Sequence, residues 1–406
     1  DGEKFTDISE EAGIYGSVIG YGLGVTVADL NEDFWPDLYV SNDFFERDYL
    51  YLNNQDGTFR EVLPDLLPEI SMGSMGADIA DLNNDGLPEI FVTEMLPADL
   101  ARAKTKTPFE EWDKYQSNLK AGYHRQFTRN TLQRNLGKNP NSDLPMFTEI
   151  ARMAGVHATD WSWGALIFDA DLDGLKDVFV ANGIVKDLTD FDFVDFYMNN
   201  QEKIEDYRAD SILVTKMIDA FPSNPQVNFW FKNQGNWSFE NQAETSGLDQ
   251  ANFSTGAAYG DLDNDGDLDL VVNNLNDEAG VYRNTSIEKQ QSNFIGLDLS
   301  GYFGAKVSIK TAKNKQVQEY HPVKGYMSSV DPRLVFGLGD ESSIEEIQVI
   351  WPDLNETILK NISANQYLKL SPLEKELIKD QKGLVSPLLE ELPLPEGIKH
   401  QESPFV

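Results

Sequence analysis

Apolar and polar positions alternate over short distances along most of this chain, in runs too brief for long helices and at the period of strands. The runs recur. Apolar strands LYV (38–40), IFV (90–92), VFV (178–180) and LVV (270–272) each follow directly on a nine-residue acidic segment. The four segments are Asp29-LNEDFWP-Asp37, Asp81-LNNDGLP-Glu89, Asp169-ADLDGLK-Asp177 and Asp261-LDNDGDL-Asp269, each preceded five residues upstream by a glycine: Gly24, Gly76, Gly164 and Gly256. Further on, a second strand ends in asparagine, at Asn53, Asn135, Asn233 and Asn284. After three of these strands a Gly- or Asn-rich turn leads to an aromatic, Phe59, Phe147 or Phe239. Each unit therefore reads strand, acidic loop, strand, turn, strand, turn, strand. Four strands repeated in this way make a propeller blade, of about 40–50 residues in ordinary examples.

Spacing supports the register. The first loop aspartate lies 24 residues before the strand-end asparagine in the first unit and 23 in the fourth, against 54 and 64 in the second and third. The two longer units hold insertions at about 97–127 and 186–226, both with helical periodicity: Phe109, Trp112 and Leu119 in the first, DFDFVDFYMNNQEKIEDYRADSILVTKMIDAF in the second. Such excursions gather on one face of a propeller and serve equally as a binding surface or as a cap. The predicted fold is all-β with helical insertions: blades over 1–290, then a small antiparallel β-sandwich over 291–371, built from NFIGLDL, AKVSIKT, QVQEYHP, RLVFGLG, IEEIQVIWP, ETILK and QYLKL. Residues 372–406 read as a short helix and a Pro-rich linker toward a further repeat region.

The loop pattern D-x-[DN]-x-D-G-x-x-[DE] carries the chemistry. Positions 1, 3, 5 and 9 supply side-chain oxygens and position 7 a backbone carbonyl, a set that suits a hard cation with six to eight oxygen ligands. Nitrogen and sulfur donors are absent, which argues against zinc and copper, and magnesium takes fewer protein ligands; calcium is the expected ion, at about four sites. The expected ligands are Asp29, Asn31, Asp33, Trp35 and Asp37; Asp81, Asn83, Asp85, Leu87 and Glu89; Asp169, Asp171, Asp173, Leu175 and Asp177; and Asp261, Asp263, Asp265, Asp267 and Asp269. Glycine at position 6 allows the positive φ that wraps the chain round the ion. The first loop has Phe34 there, so its site is expected to be the weaker one. An EF-hand shares the opening of this pattern but needs a glutamate at position 12 between helices; here position 12 is Val40, Val92, Val180 or Val272, inside a strand.

Composition narrows the remaining readings. With 68 acidic against 33 basic residues, the formal charge of −35 repels nucleic-acid phosphates and anionic membrane surfaces, leaving cations as the favoured small partner. The absence of cysteine excludes disulfides and thiolate metal sites, and no apolar run is long enough to span a bilayer. His124, His157, His321 and His400 stand apart, without an HExxH pair, and no G-x-S-x-G elbow or phosphate-cradling loop occurs. Carboxylate pairs able to cleave polysaccharides are not separable from the acidic background by sequence, so a calcium-dependent lyase or glycoside hydrolase is the alternative to a noncatalytic role. Trp161 and Trp163, in Asp160-Trp-Ser-Trp, fit either sugar stacking or core packing.

The acidic loops resemble FG-GAP/VCBS repeats of integrin-type propellers. More narrowly, GYGLGVTVADL, SNDFFERDYLYLNN, SMGADIADLNNDG, TDWSWGALIFDADLDG and GAAYGDLDNDGDLDLVVNN resemble the cartilage-acidic-protein-like repeats of Bacteroidota, and GAKVSIK…GYMSSVDPRLVFGLG…IQVIWPDLNE is similar to the ASPIC/UnbV domain that follows them. The resemblance spans nearly the whole chain. It implies a surface-exposed outer-membrane lipoprotein with further repeats on both sides, a scaffold or binding module whose partners are other surface or outer-membrane proteins or a glycan. Phe34 departs from the glycine usual in the family.

Overall fold

The computed structural model describes residues 5–106, 111–142, 144–199, 218–219, 221–290, 292–372 and 378–379. Four sheets follow one another along the first 290 residues. The first contains β1 (Gly22–Ala28), β2 (Asp37–Asn42), β3 (Tyr49–Asn53) and β4 (Phe59–Glu61), in that order. A two-stranded parallel ribbon, β5 (Ile70–Ser71) with β8 (Gln126–Phe127), lies outside the blades. The second blade is β6 (Ala77–Ala80), β7 (Glu89–Val92), β9 (Thr131–Lys138) and β10 (Pro145–Glu149). The third is β11 (Ser162–Phe168), β12 (Asp177–Asn182), β13 (Phe229–Asn233) and β14 (Phe239–Asn241). The fourth has three strands, β15 (Ser254–Gly260), β16 (Asp269–Asn274) and β17 (Gly280–Tyr282). All pairs within these four sheets are antiparallel, and the inner strands β1, β6, β11 and β15 adjoin one another in sequence order. These are propeller blades of the expected type.

Blades stack face to face, which is why their second strands carry an unbroken apolar run, at 38–40, 90–92, 178–180 and 270–272, rather than an alternation. Every residue of β7 and of β12 is buried. One core lies between the first and second blades (Tyr39, Leu50, Ile79, Ile90), another between the second and third (Phe91, Leu132, Ile167, Phe231), and a third between the third and fourth (Phe179, Trp230, Leu270, Val272). Of the upstream glycines, Gly76 reflects the same stacking, Gly164 and Gly256 lie against residues 325–328, and Gly24 has open space. A Cβ on Gly76 would lie 2.7 Å from the Trp163 carbonyl oxygen, and one on Gly164 would lie 2.7 Å from the Tyr326 amide nitrogen.

The insertions leave the second-to-third strand connections, at the end of the blades opposite the acidic loops. Their described helices are Leu100–Ala103, Trp112–Lys120 and Phe191–Asn199. They meet each other there: the Phe191 amide donates to the Thr105 carbonyl at 2.8 Å, and Lys106 and Arg102 pair with Asp187. Phe109 and 200–217 of the expected helices lie outside the described residues.

The C-terminal sandwich stacks two sheets. One contains β18 (Asn293–Asp298), β21 (Leu334–Gly339), β24 (Gln366–Lys369) and β25 (Ile378–Lys379); the other contains β19 (Lys306–Lys310), β20 (Lys315–Glu319), β22 (Ser343–Ile350) and β23 (Glu356–Ser363). Ile295, Val307, Phe336, Ile347 and Trp351 fill the space between them. One pair departs from the all-antiparallel expectation, β18 and β24 running parallel. Ile378 and Lys379, expected within a helix, pair with β24 instead; the rest of the expected helix and linker lies outside the described residues, apart from residues 371–372.

This sandwich is seated on the blades. Its segment 322–333 runs along their inner strands, where Lys324 Nζ meets Asp78 at 2.7 Å and the Asp331 amide donates to the Tyr259 carbonyl at 3.0 Å. The space left at the centre is about 60 Å³, room for a few waters only. Asp78 is fully buried, its carboxylate also taking the amides of Ile79 and Ile167 at 2.8 Å each. Removing the cation from a buried pair leaves an uncompensated charge. Lys324→Ala is therefore expected to cost about 3–5 kcal/mol, read as a lower urea midpoint; a loss below about 1 kcal/mol, the level of an exposed pair, would contradict the described seating.

Candidate metal centres

Each acidic loop is set by its strands. Position 1 follows the last residue of the inner strand and position 9 opens the next, so that Ala28 pairs with Asp37, Ala80 with Glu89, Phe168 with Asp177 and Gly260 with Asp269. Between them the chain turns twice through left-handed backbone. Position 4 has φ of 60° at Glu32, 62° at Asn84, 58° at Leu172 and 60° at Asn264; position 6 has 66° at Phe34, 93° at Gly86, 92° at Gly174 and 107° at Gly266. Phe34 adopts the glycine conformation despite its side chain, a strained choice for a bulky residue.

The turns aim amides inward. The position 6 amide donates to the position 1 carboxylate in every loop: Phe34 to Asp29 at 3.1 Å, Gly86 to Asp81 at 2.9 Å, Gly174 to Asp169 at 2.9 Å and Gly266 to Asp261 at 3.1 Å. The position 7 amides of Trp35, Leu87, Leu175 and Asp267 donate to the position 5 carboxylates at 2.8, 2.9, 2.8 and 3.2 Å. In the third loop, carboxylate oxygens of Asp169, Asp171 and Asp173 come within 4.8 Å of one another; in the fourth, those of Asp261, Asp263 and Asp265 do so. In the first two loops position 3 is an amide, Asn31 donating to Asp33 at 3.1 Å and Asn83 to Asp85 at 2.8 Å.

Position 9 is placed differently. Asp37, Glu89, Asp177 and Asp269 accept the position 2 amides of Leu30, Leu82, Ala170 and Leu262 at 2.9, 3.0, 3.4 and 2.9 Å. They also accept the amides of the recurring asparagines: Asp37 from Asn53 at 2.9 Å, Asp177 from Asn233 at 2.8 Å, Asp269 from Asn284 at 2.7 Å, and Glu89 from Asn135. The side chains of these asparagines then staple blade to blade. Asn135, Asn233 and Asn284 donate to Leu30, Leu82 and Ala170 carbonyls of the preceding loop at 3.3, 2.9 and 2.7 Å, and to the position 8 carbonyl of their own loop at 3.4, 3.0 and 3.1 Å. The sequence marks these asparagines only by their recurrence.

Three loops touch the C-terminal sandwich directly. The Asp29 amide donates to Glu319 at 3.0 Å, the Gly339 amide to the Leu172 carbonyl at 2.9 Å, and the Tyr367 hydroxyl to Asp261 at 2.5 Å. The second is joined through Lys176, whose Nζ reaches the carbonyls of Asp81 and Val317 at 2.9 and 3.3 Å. Gly337 leaves room for Asp169; a Cβ there would fall 2.2 Å from its Oδ2.

Electrostatics makes this seam unfavourable without cations. Burial, more than the hydrogen bonds it permits, pushes Asp37 up to about 7 and Glu89 up to about 9. Burial followed by the neighbouring loop carboxylates holds Asp169 and Asp177 well above the usual carboxylate range, and burial raises Asp81, Asp173, Asp261 and Asp269 as well. Single cations answer part of this: Lys232 pairs with Asp171 and Asp173, Arg283 with Asp263 at 2.8 Å, and Lys306 with Asp29 at 3.3 Å. Yet Asp81 Oδ1, Glu89 Oε1 and Asp171 Oδ1 remain buried without a hydrogen-bond partner. An all-oxygen donor set with orphaned carboxylate oxygens fits a divalent cation.

Trp161 and Trp163 do not join these loops. They lie at the other end of β11, their rings 6.2 Å apart, with Trp163 packed on Tyr326 of the sandwich at 5.0 Å and its Nε1 donating to the Gly183 carbonyl at 2.6 Å. His124 Nε2 contacts the Leu67 carbonyl at 2.9 Å and His321 Nε2 lies 3.7 Å from the Glu319 carboxylate; His400 lies outside the described residues.

Blades of this kind fit FG-GAP repeats. Residues 29–92 and 210–272 match the FG-GAP-like repeat, taking in the first, second and fourth loops, and residues 300–377 match ASPIC and UnbV. The chain thus carries FG-GAP-like repeats followed by an ASPIC and UnbV domain. Among characterised proteins it is similar to integrin alpha-7 of Homo sapiens, 43% identical over 84 residues, and to integrin alpha-7 of Rattus norvegicus and Mus musculus, at 39% and 38% over 84 residues. Each match covers 18% of this chain and 7% of the integrin.

Two outcomes follow from the geometry. Asn233→Ala strands the Leu82 and Lys176 carbonyls and is expected to cost about 1–3 kcal/mol, measured by denaturant unfolding; an unchanged midpoint would dismiss the staple. The raised acids fix a pH dependence. Their folded pKa values exceed the ordinary 3.8 and 4.5, so folding without metal favours the protonated forms. Metal-free stability is then full below about pH 4 and lost as pH rises through about 7 for Asp37 and about 9 for Glu89. Melting temperature in chelator should fall between pH 5 and pH 9, and a saturating divalent ion should remove that fall.

Proposed function

We propose that this chain is a noncatalytic, calcium-stabilised scaffold or binding module at the cell surface. The observation that carries the reading is the seam itself: four acidic loops of one design, with orphaned buried carboxylate oxygens, gathered where the blades meet the C-terminal sandwich. Calcium suits that donor set because it accepts many oxygens in irregular geometry, whereas magnesium keeps its waters and zinc seeks nitrogen or sulfur. The expected ligands come from positions 1, 3, 5, 7 and 9, with position 9 also anchoring the third strand. The ions neutralise charge and hold the sandwich against the blades, a structural task that asks nothing of catalysis.

FG-GAP repeats are typical of extracellular and cell-surface proteins, and the similarity to integrin alpha-7 agrees with a binding role there. Within that setting we place the chain on the outer-membrane surface of a Bacteroidota-type cell, as a lipoprotein component of an assembly with other surface proteins or a glycan. The end of the blades bearing the insertions is the surface for such a partner, since the opposite end is engaged by the sandwich. Exposed Trp112 and Phe191 lie on that end.

Thermal melts with calcium and with chelator test the reading. With free calcium a hundredfold above the dissociation constant, each site contributes about 2.7 kcal/mol. The melting temperature should therefore drop on chelation, and Asp171→Ala should bind one calcium fewer than the wild type by titration calorimetry. An equal melting temperature with and without chelator would overturn the calcium role. Protease treatment of intact cells should remove the chain from the surface; full protection would refute the location.

A further inference from the structure

The fourth loop differs from the others at position 7. Trp35, Leu87 and Leu175 stand there in the first three loops, where that position is expected to contribute its backbone; the fourth has Asp267. This carboxylate is fully buried. Its Oδ2 accepts the Ile287 amide at 3.0 Å, while its Oδ1 is buried with no hydrogen-bond partner. One oxygen each of Asp265, Asp267 and Glu288 lie within 4.8 Å of one another. A buried, half-unsatisfied carboxylate drawn up to two others calls for a cation.

Arg283 is the obvious internal candidate, and its contacts do not meet the need. It pairs with Asp263 at 2.8 Å, Asp265 at 3.5 Å and Glu288 at 2.5 Å, but Asp267 is not among its ion-pair partners. Its side chain is 59% exposed, so it can swing outward at little cost while Asp267 stays fixed.

We infer that Asp265, Asp267 and Glu288 form a second divalent-cation site beside the fourth loop, with Asp265 shared between the two ions. The inference rests on the calcium reading of the loops and goes beyond it. Glu288 belongs to the short helix Ser286–Gln290, which lies between Asn284 and the first strand of the sandwich. The same helix start is already tied to the third loop, Ser286 Oγ donating to the Ala170 carbonyl at 3.1 Å. A cation on Glu288 therefore fastens the linker between blades and sandwich to the last blade. The hard all-carboxylate set selects calcium or a similar oxygen-seeking divalent ion.

The test uses the full chain and calcium alone, followed by titration calorimetry. Glu288→Gln, at an exposed position, should bind one calcium fewer than the wild type, or bind its weakest calcium at least tenfold more weakly. Its melting temperature in chelator should match the wild type. Asp267→Asn should show the same calcium loss, with circular dichroism confirming that it folds. Calcium should also slow proteolysis within 285–292 in the wild type and not in Glu288→Gln. Equal stoichiometry and affinities for Glu288→Gln and the wild type would overturn the second site while leaving the calcium role of the loops intact. A wild type that binds no calcium at all would instead overturn the proposed function, and this site with it.

Discussion

Carboxylates packed at a buried seam repel one another and resist desolvation, and the rest of this molecule is arranged around that constraint. The position 1 acids Asp29, Asp81, Asp169 and Asp261 are all buried, and each lies where an inner strand turns outward toward the sandwich. Burial there is imposed by packing: the sandwich covers the loop end of the blades and sends 322–333 along their inner strands. The loops answer by aiming backbone amides at their own carboxylates, so that each turn solvates its charge with dipoles fixed by the fold. Those dipoles are insufficient, as the raised affinity of Glu89 and Asp37 for protons shows.

The same device links local turns to long-range order. Position 9 accepts amides from position 2 and from the recurring asparagine, so the loop and the chain at the third strand share one carboxylate. The asparagine side chains of the second, third and fourth blades reach the preceding loop. A perturbation at one loop is therefore passed along a row of hydrogen bonds as well as through the apolar faces between blades. Stability is distributed as in repeat proteins, where each unit contacts chiefly its neighbours. Here the sandwich adds a second set of contacts that spans the row.

Much of this was legible in the sequence because it is local. Nine-residue loops and the apolar run that follows them recur with fixed spacing, an asparagine recurs beyond them at varying distance, and the structure repeats the same register between the first two strands of all four blades. Phe34 could be singled out as an anomaly because position 6 demands positive φ, and its φ of 66° meets that demand without glycine. What the sequence concealed is remote. Lys306 meets Asp29, Lys324 meets Asp78 and Tyr367 meets Asp261 across separations of 277, 246 and 106 residues. No periodicity encodes such pairs. The parallel pairing of β18 with β24 was hidden for the same reason, since strand order in a sandwich follows from crossover connections rather than from alternation. Trp163 shows the ambiguity of single residues: an aromatic suited to sugar stacking is engaged with Tyr326.

The loops share a design but not a charge balance. The third sets Asp169, Asp171, Asp173 and Asp177 against Lys232, and the fourth sets Asp261, Asp263, Asp265, Asp267 and Asp269 against Arg283. Lys176 also lies near Asp169 and Arg333 near Asp261, yet two positive side chains do not offset four or five buried or half-buried carboxylates, and a divalent ion brings each loop nearer neutrality. The first loop has three carboxylates at its ligand positions, an amide at position 3, and Lys306 lying both on Asp29 and 5.7 Å from the Phe34 ring centre. There the lysine from the sandwich already supplies part of what a metal would. The second loop has the same carboxylate count, yet its nearby Lys176 spends its hydrogen bonds on carbonyls, leaving Asp81 and Glu89 with orphaned oxygens. The carboxylate charge that these side chains leave unanswered is therefore smaller in the first loop than in the third and fourth.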